Sequence, residues 1–313
     1  INAGKDINVK ATKGSLLLNN SLMAAKNNIN LSSKDSVSSQ KLAGTTFTAD
    51  KDVNVESTAD SVILTSTSQF QPKASLNLNA AKNVEINSKG NLTTEKTNIT
   101  AGENVFLTSA EGSVNVKDST KFLSGKKVYI QGAKDVNTTG TVDMNNIQTN
   151  IQAGNNVDVK FANVGNRQNG LIAKAGNNMT VTTDGTLSVS SLISGNDMTI
   201  NANKVIAGLP YTDETKLPED TVSERSYIEV GGEFTSNVAN DNYEITASGE
   251  PTNDGKYNQK HHIQYGEDEK ILLVNKRPRD NNVTDPDLGD NDNGNEIDPI
   301  KPGEVPTDPD PSE

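Results

Sequence analysis

The residues best equipped for chemistry are few, and most lie after position 210. Both histidines stand together as His261-His262, in a stretch that also holds Tyr227, Tyr243, Tyr257 and Tyr265. Two imidazoles can begin a metal site, but a closed zinc site needs four ligands and no convincing third lies nearby. Clustered Tyr and His also suit a recognition surface, since Tyr is favoured there. A non-repeating cap would use the same bulky residues simply to pack its edge. The run Asp290-Asn291-Asp292-Asn293-Gly294-Asn295-Glu296 has calcium-loop composition. An EF-hand would need an acid at Gly289 and Glu at Ile300, so only weak calcium binding by an acidic tail remains, and no cofactor is expected. Before position 210 there is no His, the acids are scattered, and Arg167 is the sole arginine. General acid–base work therefore has no evident residues, and the expectation is a non-enzyme.

What positions these residues is a repeat. Nine aliphatic pairs, each split by one residue, follow small and polar turn residues: Ile7/Val9, Ile29/Leu31, Val53/Val55, Val84/Ile86, Val105/Leu107, Val128/Ile130, Val157/Val159, Met179/Val181 and Met198/Ile200. Six of the eight steps between successive pairs fall between 19 and 24 residues, a period of stacked β-coils. Alternation sends the aliphatics to one face and the intervening residue, usually polar, to the other. Second strands are expected at Leu16/Leu18, Val62/Leu64, Leu92/Thr94, Val114/Val116 and Leu187/Val189. Third strands are expected at Phe47/Ala49, Ile99/Ala101, Phe122/Ser124 and Ile151/Ala153. The two long steps, 53 to 84 and 128 to 157, call for insertions near 65–75 and 137–147. Read as one slot, Asn28, Asn104, Asn156 and Asn178 either form a side-chain ladder along the axis or bond their own backbone as turn residues. Nine coils make a rod ~40 Å long.

Composition limits the alternatives. The chain is 32% hydrophobic and 4% aromatic, with a net charge of −12 and a mean hydropathy of −0.62. Such values alone suggest disorder, but a β-coil needs only one inward row per strand. Residues 1–210 are nearly neutral, and the acidity belongs to the remainder. No basic patch interleaved with aromatics marks a nucleic-acid partner. Cysteine is absent, which excludes disulfides and suits a chain exported unfolded. No apolar stretch approaches the ~20 residues of a membrane span. The start at Ile1 in mid-repeat suggests a piece of a longer protein.

The phrase Ala-Gly-(Asn/Lys)-(Asn/Asp)-(Val/Ile/Met)-x-(Val/Ile), as in Ala175-Gly176-Asn177-Asn178-Met179-Thr180-Val181, resembles the repeats of filamentous haemagglutinin-type proteins over about residues 1–209. That resemblance implies an all-β, right-handed parallel β-helix with three-strand coils. It also implies export through an outer-membrane transporter partner in Gram-negative bacteria and display at the cell surface, facing a host or bacterial receptor or glycan. The expected organisation is a helix over 1–209, a small β cap over 210–279 and a disordered, acidic, Pro-rich tail over 280–313. The expected function is a rigid, non-enzymatic shaft of a secreted or surface adhesin. The rivals are the stalk of a contact-dependent toxin-delivery protein and a β-helix polysaccharide lyase or hydrolase.

Overall fold

The computed structural model describes residues 1–18, 21–39, 45–65, 76–117, 119–140, 142–144, 148–165, 170–207, 227–239, 243–245, 263–265 and 272–276. The chain winds as a parallel β-helix with three walls. Wall I holds seven strands, from Asn2–Ala3 to Asp143–Met144. Wall II begins at Ile7–Ala11 and runs through Val53–Ser57, Val105–Ser109, Lys127–Gly132, Gln148–Ala153, Leu171–Ala175 and Thr186–Ser194 to Tyr227–Val230. Wall III holds ten strands, from Leu16–Leu17 to Phe234–Val238. At ~4.8 Å per strand, wall III is ~43 Å tall.

Period-two alternation builds the interior. Val53, Val55, Leu78, Ile86, Ile99 and Leu107 are all fully buried, one or two from each strand, stacked on apolar residues of the coils above and below. The walls converge at the corners, where only small side chains fit. Ala25, Ala49, Ala80, Ala101 and Ser124 close wall I in one register. Ser33, Ser57, Ser88, Ser109 and Gly132 close wall II. The buried hydroxyls there are bonded to turn backbone: Ser88 Oγ donates to Gly90 O at 2.7 Å and Ser109 Oγ to the same carbonyl at 2.6 Å.

Several sequence expectations are corrected. The first six aliphatic pairs lie in wall II, but Val157/Val159, Met179/Val181 and Met198/Ile200 lie in wall III, where Val157 pairs with Val136 and Met179. The 128-to-157 step is therefore a change of wall. The strand in register with Val128 is Gln148–Ala153, which puts Ile151/Ala153 in wall II rather than in a third strand of the earlier kind. By contrast, Val84 pairs directly with Val53, so the other long step spans one coil; residues 66–75, where its insertion was expected, lie outside the described residues. The physics of the slip is simple: each corner needs a small residue, a polar turn and an aliphatic entry, so one phrase serves two corners.

From Val164 the coil also tightens. Thr186–Ser194 runs as one strand past the place where wall I turned into wall II; its Leu187 joins Val205, and its Leu192 joins Ala173 and Ile228. Leu187/Val189 is thus not a wall III strand. A register shift between Leu171 and Ile172 absorbs the change. The winding does not stop at 209: Tyr227–Val230 extends wall II and Phe234–Val238 extends wall III. An antiparallel pair, Ile263–Tyr265 with Leu272–Lys276, meets wall II at Glu229 and Val230.

Candidate functional site

The turns carry a polar system along the axis, divided between two corners. Where wall I turns into wall II, Asn28 N–H donates to Asp6 Oδ1 at 3.0 Å and Asp52 N–H donates to Asn28 Oδ1 at 3.2 Å. Asn83 N–H then donates to Asp52 Oδ1 at 3.0 Å, and Asn104 N–H to Asn83 Oδ1 at 3.1 Å. Where wall II turns into wall III, the same relay runs from Asp135 Oδ1 to Asn156 N–H at 3.1 Å, from Asn156 Oδ1 to Asn178 N–H at 3.2 Å, and from Asn178 Oδ1 to Asp197 N–H at 3.2 Å. Asn28 and Asn104 thus occupy one column and Asn156 and Asn178 another, so the single slot expected for all four is corrected by the wall change. In these bonds each side-chain oxygen takes the amide of the next coil. No two aspartates are neighbours in either relay, which keeps like charges from facing each other one strand spacing apart.

Glycine completes the second corner. A Cβ at Gly154 would lie 2.1 Å from Ala133 O, at Gly176 2.2 Å from Gly154 O, and at Gly195 2.2 Å from Gly176 O. Close stacking of carbonyls under the next turn leaves no room for a methyl group there.

The outer faces carry shorter ladders. Asn30 Nδ2 donates to Asn8 Oδ1 and Asn54 Nδ2 to Asn30 Oδ1, each at 2.7 Å. On wall III, Asn201 Nδ2 donates to Thr182 Oγ1 at 3.2 Å and Asn237 Nδ2 to Asn201 Oδ1 at 2.8 Å. These three residues, with Asp184 and Asn203, line an open groove of 570 Å³. Lys126 Nζ bonds Glu103 Oε2 at 3.0 Å and holds that carboxyl below its ordinary value. Hydrogen bonds from Ser36 and then Ser61 lower Asp60 in the same way.

One stretch of outer surface differs. In register on wall II stand Asn54, Glu85, Phe106, Tyr129 and Asn150. Phe106 and Tyr129 stack with centroids 5.0 Å apart and planes 4° apart. Alternation points both away from the core, yet they are 3% and 0% exposed. The sequence marks them as the only aromatics between the aliphatics of the nine pairs, which was the available signal.

Of the expected recognition residues, Tyr227, Tyr243 and Tyr265 fall in strands Tyr227–Val230, Tyr243–Ile245 and Ile263–Tyr265. Tyr257, His261 and His262 lie outside the described residues, as do Arg167 and the acidic tail 280–313. Among the described residues no group of three or more His, Cys, Asp or Glu is placed to hold a metal ion, and no helix is long and apolar enough to cross a membrane.

Winding, corner relays and an interior of stacked, mostly aliphatic side chains define a β-solenoid repeat protein. Residues 32–168, somewhat under half of the chain, match the family model described as Hemagglutinin repeat. No curated protein and no solved structure matches the chain.

Proposed function

We propose that this chain is a stiff shaft segment of a large bacterial filamentous adhesin, exported through an outer-membrane transporter and displayed at the cell surface. The observation that carries this reading is the continuous parallel pairing of wall II from Ile7 to Val230, with one register shift between Leu171 and Ile172, in a stretch of which residues 32–168 match the haemagglutinin repeat. Each coil spends its hydrogen-bonding groups on the next one. Such a quasi-one-dimensional object resists bending and sets a distance. The shaft is non-enzymatic, and recognition of a receptor or glycan belongs to other parts of the full-length protein.

The test is to immobilise the folded chain and present host cells, sister bacteria and a glycan array. A shaft retains none of them above a folded control protein. Saturable retention would instead assign recognition to this stretch.

A further inference from the structure

We propose that the interior of the shaft binds one water molecule, held between the hydroxyls of Thr94 and Thr120 in the corner where wall III turns into wall I. Thr94 is the last inward residue of the wall III strand Leu92–Glu95. Thr120 stands immediately before the wall I strand Lys121–Ser124. Both residues are fully buried, and neither Oγ1 has a hydrogen-bond partner within the protein. The Oδ1 atoms of Asn87 and Asn150 share that condition, but they belong to the outward row of wall II. Thr94 and Thr120 are therefore the interior pair among the described residues.

The preceding coil shows how this corner uses a threonine. Thr97 Oγ1 donates across the corner to Leu64 O at 3.1 Å, and Glu95 O lies 3.0 Å from the same hydroxyl. One coil on, Thr120 succeeds Thr97, because Asn98 pairs with Lys121, and Thr94 succeeds Leu64. Both turns place a left-handed residue just before the threonine, Lys96 with φ 49° and Ser119 with φ 60°, so the two hydroxyls enter the corner alike. The bond across the corner is nevertheless not repeated. Thr94 O accepts Lys117 N–H at 2.7 Å, and Thr120 Oγ1 is left over beside the equally unpaired Thr94 Oγ1. A buried hydroxyl without a partner costs about tenfold in the folding equilibrium, and two stand in one corner, a coil apart and not bonded to each other. A single water satisfies both, accepting from one hydroxyl and donating to the other, with the second lone pair of Thr94 O as a third partner. The consequence is that Thr97 ties its coil to the previous one directly, whereas the next tie at this corner runs through solvent.

Thr94→Val and Thr120→Val keep the side-chain shape and remove the hydroxyl, and the two readings of the corner predict opposite signs. Each variant and the double variant are made in the full chain and compared by equilibrium urea unfolding, with circular dichroism to show the shaft folded. With a bridging water, either single change raises the unfolding constant about tenfold, and the double change is no worse than one single change, because the water leaves with the first. With two stranded hydroxyls and no water, each change leaves the unfolding constant unaltered or lowers it, and the two effects multiply. That second pattern, or two losses that multiply, overturns the proposal. A high-resolution crystal structure of the native chain is the independent check. Solvent density within hydrogen-bond reach of both Thr94 Oγ1 and Thr120 Oγ1 is expected, and a direct bond between the two hydroxyls, or no density between them, overturns the proposal equally.

Discussion

Gly176→Ala tests the corner packing with one added carbon. The new Cβ would lie 2.2 Å from Gly154 O, against an ordinary contact of 3.4–4 Å. The turn must therefore lift by about 1 Å or push the turn below it. Lifting stretches three bonds: Gly176 N–H to Ala153 O at 3.0 Å, Asn177 N–H to Asn155 O at 2.8 Å, and Asn178 N–H to Asn156 Oδ1 at 3.2 Å. Overpacking costs about 1–3 kcal/mol, and each lost bond about 0.5–1.5 kcal/mol. Strain and broken bonds are alternatives for the same relaxation, so the net expectation is about 2–4 kcal/mol rather than their sum. Gly4→Ala is the control, because a Cβ there meets nothing within 4 Å and a surface change of this kind costs about 0.5 kcal/mol or less. Equilibrium urea unfolding followed by far-ultraviolet circular dichroism reads both. If Gly176→Ala and Gly4→Ala agree within about 0.5 kcal/mol, close carbonyl stacking is not what holds this corner.

Asn156→Ala should cost about 1–3 kcal/mol in the same assay, because it removes the acceptor of the Asn178 backbone N–H and of Asn177 Nδ2; a cost below that of Asn30→Ala, whose amide sits on an outer face, would count against the relay. Leu107→Ala should cost about 2–5 kcal/mol and, in a solenoid, should weaken hydrogen-exchange protection chiefly in the coils next to it; uniform loss across all coils would contradict that. Asp60 is held below its ordinary carboxyl value by Ser36 and Ser61. The stability it supplies is present above that ordinary value and lost as pH falls through the lowered one. The Tm difference between the native chain and Asp60→Asn should therefore shrink from about pH 5 to about pH 2, and a difference that grows on acidification would reverse the assigned sign.

Much of the fold is legible in the residues. The split aliphatic pairs show strands and their inward face, and small residues such as Ala49, Ala101 and Ser109 mark corners. Which corner is not legible, because Ala101-Gly102-Glu103-Asn104 and Ala153-Gly154-Asn155-Asn156 answer the same local demands on different walls. Only pairing of Gln148–Ala153 with Lys127–Gly132 separates them. The outer stack was half visible: alternation tells that Phe106 and Tyr129 face outward, but not that they are nearly fully buried there. The tyrosine and histidine group after position 226 carried no repeat, so nothing in its spacing tied it to a particular wall.

The central claim is one axis with one coil per strand spacing, and paired spin labels measure that directly. In the cysteine-free background, labels replace Asn30 together with Asn150, and Asn30 together with Ser191, all in one outer column of wall II. Pulsed dipolar spectroscopy should give backbone separations of ~24 Å and ~34 Å, five and seven strand spacings. Two similar distances, or a longer distance for Asn150 than for Ser191, would contradict the stacked winding and the shaft built on it.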